Sequence, residues 1–130
     1  MTADQHAGLS NADLPEVVAS EYRVLPTGYA DSPLVDKFHF EIRVVWRGQQ
    51  TDGSDGWAVL WGGRCLNSDG AWEWEPNPSS RDDDFLGRCR FSREEAIHRA
   101  VAVVDTMTMN GRTFAEWNRR LAGQSVETPR

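Results

Sequence analysis

Lysine is nearly missing from this 130-residue chain: Lys37 stands alone among fourteen basic residues, and the other thirteen are arginine. GC-rich coding produces such a bias, so it carries little functional weight. Cysteine is scarce too, with only Cys65 and Cys89. Two thiols are too few for a disulfide framework, and in a reducing compartment they are expected to be free, as small buried hydrophobes. No apolar run approaches the ~20 residues needed to cross a bilayer, so no membrane association is expected. The opening "MTADQHAGLSNADLPEV" has no basic stretch followed by an apolar one. No secretory signal is read there, and a cytoplasmic location is the expectation. A surplus of positive charge is lacking as well. The net charge is −6: residues 1–36 hold six acids against Arg23, and residues 37–130 hold fourteen acids against thirteen bases. The body is close to neutral, which disfavours binding to a nucleic-acid backbone. G-x-S-x-G, P-loop, H-E-x-x-H and Rossmann glycine patterns are all absent.

What is present is a chain long enough for one domain with a real core, and six tryptophans to fill it. Residues 1–35 read as an acidic, largely flexible segment, with room for a short helix opening at Asp13 and constrained by Pro15. Residues 36–123 read as a single α+β domain, and residues 124–130 as a flexible tail. In "FHFEIRVVW", Phe38, Phe40, Ile42, Val44 and Trp46 alternate with His39, Glu41 and Arg43, which predicts a strand. "WAVLWGGRCL" predicts a second strand, interrupted at Gly62-Gly63 by a bulge or a close backbone approach. "AWEWE" predicts a third, ended by Pro76 and Pro78.

Ser92 with Glu95 forms a capping box ahead of Ala96, Ile97, Ala100, Val101, Val104 and Met107 at helical spacing, with Asn110-Gly111 as the stop. Thr113 with Glu116 forms a second box ahead of a short C-terminal helix running to Gly123. The expected architecture is a three-stranded antiparallel meander packed on one face by a helix and followed by a short C-terminal helix.

On this reading Phe38, Phe40, Trp46, Trp57, Trp61, Trp72 and Trp74 share the covered face and fill the space that an Ala- and Val-rich helix leaves. That core reading outweighs a base- or sugar-stacking platform. The opposite face, with His39, Glu41, Arg43, Glu73 and Glu75, reads as solvated and paired across strands. Asp82-Asp83-Asp84 reads as an acidic loop paired to Arg81 or Arg88, since the calcium-loop pattern is absent. Cys65, Cys89 and His98 lack zinc-site spacing, so no metal and no cofactor is expected.

The candidate contact surface is the 74–84 loop with the polar sheet face beside it: Arg43, Trp74, Glu75, Asn77, Ser79, Ser80, Arg81 and Asp82. Prolines stiffen this loop, and Arg81 offers a bidentate fork.

Two resemblances add to this. The motifs "WAV", "CLNSDG", "WEWEP", "PSSRDDDF" and "RFSREEA", spread over residues 56–111, resemble a pattern in small proteins of actinobacteria and their bacteriophages. That resemblance implies a phage-type accessory protein, for which a host protein is the expected partner and the host cytoplasm the expected location. More faintly, "FSREEA" and "RTFAEW" are similar to segments of the three-strand-plus-helix DNA-binding domain of tyrosine recombinases. That implies duplex DNA binding through the sheet as the alternative. A small metal-dependent hydrolase is a second alternative. The open edges of a short sheet leave monomer and homodimer both in play.

Overall fold

The computed structural model describes residues 14–127 and shows an α+β fold built on an antiparallel sheet with a C-terminal helix. The sheet has five strands in sequential order: β1 (Glu21–Val24), β2 (Ile42–Gln49), β3 (Asp55–Trp61), β4 (Arg64–Leu66) and β5 (Trp72–Trp74). The expected three-stranded meander thus corresponds to β2 through β5, and β1 extends it along the free edge of β2. β1 replaces the short helix expected after Asp13, a residue outside those described. Its Tyr22 and Val24 pair with Val44 and Ile42, and the Tyr22 ring lies 5.7 Å from that of Trp57. The single strand expected over residues 57–66 is two strands, joined by a Gly62-Gly63 turn with Gly62 at φ 59°. A side chain is strained in that left-handed conformation, and glycine is not.

The first strand also starts later than its alternation suggests. Lys37–Phe40 forms a 3-10 turn, which buries Phe40 but leaves Phe38 exposed. Trp46 and Trp74 are exposed as well, so three of the seven aromatics assigned to the core lie outside it. Past Trp46 the β2–β3 register shifts, and β2 runs on to Gln49 through Gly48 at φ 94°.

Both faces of the sheet carry a core. Ile42, Val44, Trp57, Val59 and Leu66 meet Ala96, Ala100 and Val104 of α2 (Arg93–Val104). Small helix residues let α2 sit close over the large sheet residues. On the other face Val45, Ala58, Leu60 and Cys65 meet Phe85 and Cys89 of α1 (Asp83–Cys89). That face was expected to be solvated, and the 74–84 segment to be loop as far as Asp84. Asp82 instead caps α1 by accepting from the Phe85 N–H at 2.8 Å, and Asp83 and Asp84 occupy its first turn. Carboxylates there complement the unsatisfied N–H groups of a helix start.

The chain crosses from α1 to α2 through Phe91. β4 is too short to pair with all of β3, and Phe91 fills the vacant place by exchanging two backbone hydrogen bonds with Trp57, at 2.9 and 3.0 Å.

α2 begins where its capping box places it, with the Ser92 hydroxyl accepting from the Glu95 N–H. It stops at Val104, short of Asn110-Gly111. Those two residues, at φ 51° and 81°, instead turn a hairpin between β6 (Thr108–Met109) and β7 (Arg112–Thr113). Asn-Gly suits that turn because both positions need positive φ. The second capping box is reciprocal: the Thr113 N–H donates to the Glu116 carboxylate and the Glu116 N–H to the Thr113 hydroxyl. It opens α3 (Phe114–Glu127), four residues longer than the stop expected at Gly123. Among the described residues, no helix is long and apolar enough to cross a membrane.

Candidate functional site

Backbone constraints bring separate aromatics together at one end of the sheet. The Trp61 indole N–H donates to the His39 carbonyl at 2.9 Å, which pins the 37–40 turn to the end of β3. The Phe38 ring stands outward against the His39 ring, with centroids 4.2 Å apart. Across the Gly62-Gly63 turn lies the Trp74 indole. A Cβ on Gly63 would come within 2.8 Å of that ring, so the close approach expected at this glycine pair is where Trp74 rests. The Arg64 guanidinium stacks on Trp74, 5.1 Å from the ring centre. The result is an open hollow of about 630 Å³ lined by Phe38, His39, Arg43, Trp61, Arg64 and Trp74, among others. Glu41 also lines it, clamped by both ends of the Arg23 fork at 2.8 and 2.7 Å and by the Tyr29 hydroxyl. The Arg23 contact holds its carboxyl below the usual carboxylate range, against the opposing effect of burial.

The eight residues assigned to a contact surface are divided among three places. Arg43 and Trp74 line the hollow. Asn77, Ser79 and Ser80 are exposed at the 3-10 turn Pro78–Ser80. Glu75, Arg81 and Asp82 are occupied within the fold. The expected free Arg81 fork is spent internally: its Nε donates to the Pro76 carbonyl at 2.9 Å and its Nη2 sits 3.0 Å from Glu75. Arg43 is paired with Glu21 at 3.0 Å and remains half-exposed. Sequence reasoning missed Phe38, His39, Trp61 and Arg64 as neighbours. The alternation had placed Phe38 and Trp61 in the core, and nothing local marked Arg64.

Glu73 and Glu75, expected on an open face, are each taken by arginines from other elements. Glu73 receives both ends of the Arg88 fork at 2.8 Å and the Asn67 amide at 2.9 Å. These contacts, Arg88 first, pull its pKa down to about 2. A carboxylate with a depressed folded pKa stabilises the fold above its unfolded value, and that stabilisation is lost as pH falls through the folded one. Glu73 is therefore expected to contribute to an acid-side loss of stability between its ordinary 4.5 and about 2. Glu21, Glu41 and Glu75, also lowered, act in the same direction. Denaturant melts across that range should show a shallower acid limb in Glu73→Gln than in the parent. Parallel limbs would remove Glu73 from this account.

Cys65 and Cys89 are both buried and adjoin each other between β4 and α1. Burial pushes the Cys65 thiol up to about 11 and the Cys89 thiol higher, so both stay protonated and inert as nucleophiles. His98 is exposed on α2, across the sheet from them. Among the described residues, no group of three or more His, Cys, Asp or Glu is placed to hold a metal ion. No family model, no curated protein and no solved structure matches the chain.

Proposed function

We propose that this chain is a non-enzymatic binding protein that engages a protein partner through the aromatic end of its sheet. The observation that carries this is the exposure of two large aromatics on the rim of one hollow: Phe38 at 56% and Trp74 at 69%. They come from segments over thirty residues apart in the chain. Aromatic residues and arginine dominate the energetics of protein interfaces, because they bury much surface at little conformational cost. Here the rim is already held in place by the Trp61–His39 bond and by the Trp74 ring on Gly63, so little ordering remains on binding.

Arg64 makes none of the ion pairs found among the described residues, and its charge lies open beside Trp74. The complementary partner is a protein segment that presents an apolar or aromatic side chain next to a carboxylate. The resemblance to actinobacteriophage proteins makes a host protein the source of that segment, with this chain as the phage accessory factor.

The test is quantitative capture from actinobacterial lysate with the parent and with Phe38→Ala/Trp74→Ala. Both side chains are exposed, so circular dichroism and the melting curve should be unchanged. Loss of two interface anchors is expected to weaken partner affinity by roughly thirtyfold or more. Undiminished capture by the double variant would overturn the choice of surface. Salt-sensitive binding to duplex DNA, measured by anisotropy, would overturn the protein-partner reading in favour of nucleic acid.

A further inference from the structure

We propose that Arg47, Arg81 and Arg90, gathered around Glu75, form a binding site for a phosphate-type dianion. Three guanidiniums reach one carboxylate: Arg47 at 2.9 Å, Arg81 at 3.0 Å and Arg90 at 3.2 Å. No other carboxylate among the described residues pairs with any of the three. The cluster thus carries two positive charges in excess.

A structural clamp needs only one arginine for one glutamate. The second and third add like-charge repulsion in a place where water screens little. Arg81 registers this imbalance. Burial, together with the charges of Arg90 and Arg47, lowers its pKa against the pull of Glu75. Arg23 and Arg88, each with a carboxylate of its own, shift upward.

The three forks come from three elements, and two of them, Arg81 and Arg90, are also tied to backbone carbonyls. Arg90 follows α1, lies over the Phe85 ring and donates to the Cys89 carbonyl at 2.9 Å. Arg81 is tied to the Pro76 carbonyl. Arg47 stands on β2 where its register with β3 shifts. Their side chains are 30% (Arg47), 17% (Arg81) and 2% (Arg90) exposed, so the charge rises from solvent inward with Arg47 at the entrance.

Among the described residues Arg47 commits only its Nε to Glu75, so its terminal nitrogens are left to meet a phosphate oxygen, with the charges of Arg81 and Arg90 behind them. A phosphate monoester carries roughly −1.5 to −2 at neutral pH, which balances the excess, whereas a carboxylate balances half of it. None of these four residues lines the aromatic hollow, so the site is separate from the surface proposed above.

The experiment is titration calorimetry and thermal melting of the full chain with inorganic phosphate, against sodium chloride at matched ionic strength. Phosphate is expected to raise the melting temperature where chloride does not, because it binds only the folded site. Arg47→Gln leaves Glu75 paired with Arg81 and Arg90, so it should fold. It is expected to weaken phosphate roughly tenfold, the loss of one charge-assisted contact.

Glu75→Gln is expected to melt lower in chloride and to gain more from phosphate than the parent, because the anion then supplies the missing charge. A purely structural clamp predicts the lower melting without that gain. Phosphoserine and unphosphorylated peptides identify the source. Stronger binding of the phosphopeptide than of inorganic phosphate assigns the dianion to a modified partner; the reverse order assigns it to a small free anion. Equal stabilisation by phosphate and chloride, or a parent-like phosphate titration in Arg47→Gln, overturns the proposal.

Discussion

Glu75→Gln is expected to lower the unfolding free energy by about 3–5 kcal/mol, the range for breaking a buried ion pair by removing one partner. The glutamine is nearly the same shape, so lost volume is not the cause. The loss comes from the arginines left behind. The Glu75 side chain is 9% exposed and that of Arg90 2%, so the Arg90 charge has neither water nor another carboxylate to turn to. Burial by itself would raise the Glu75 pKa; Arg90, Arg47 and Arg81 together hold it below the ordinary value, a measure of how strongly the ionised form is favoured.

Urea denaturation at neutral pH and low phosphate is the direct measurement, with the midpoint falling at an unchanged slope. Adding Arg90→Gln to Glu75→Gln should restore part of the loss, because the uncompensated charge goes too. A loss under about 1 kcal/mol, the size found for surface pairs, would mean that the cluster is effectively solvated.

Phe114→Ala is expected to cost about 3–5 kcal/mol, as large-to-small changes at fully buried aromatics do. Phe114 is the first residue of α3 and is almost fully buried. Its ring meets Phe40 edge-on at 5.3 Å and stacks on Tyr29 at 6.0 Å. The cavity therefore opens beneath two segments of irregular backbone, which hold their shape by packing and not by a strand ladder.

One consequence reaches the aromatic hollow. Phe40 and Phe38 share one 3-10 turn, so losing the anchor under Phe40 should loosen the rim that carries Phe38 and His39. Hydrogen exchange of residues 37–41 should accelerate in Phe114→Ala, while protection in β3 falls only by the global loss of stability. Phe114→Leu should cost less and leave the turn protected. An unchanged exchange rate at residues 37–41 in Phe114→Ala would uncouple α3 from the hollow.

Features set by neighbours along the chain were legible in the sequence. Both capping boxes act at the residues that display them, because Ser92, Glu95, Thr113 and Glu116 satisfy the N–H groups within their own first turns. The Ala96–Ala100–Val104 stripe of α2 meets the sheet as its spacing requires. The Gly62-Gly63 interruption and the ending of β5 near Pro76 also appear where the sequence places them.

Alternation failed at Phe38. A period of two describes a strand only if a partner is there to pair with it, and residues 37–40 have none. α1 was missed because seven residues are too few to display a helical period. A sign of it was nonetheless present. Val44-Val45 and the unbroken run from Trp57 to Trp61 put apolar side chains on both faces of the sheet, as a strand covered on both sides requires.

By itself, the sequence determined where α2 and α3 begin, that hairpin-linked strands precede them, and which small residues of α2 face the sheet. These depend on hydrogen bonds and periodicities a few residues long. Only the tertiary structure decided which tryptophans are buried, which arginines answer Glu73 and Glu75, and that Phe38 and Trp74 line one hollow. Those outcomes depend on residues from different elements meeting around the Gly62-Gly63 turn and along the path from β5 through α1 to Arg90. In charge pairing the identity of the partner depends on distance in space, and one strand of alternating Trp and Glu carries no record of which arginine will arrive.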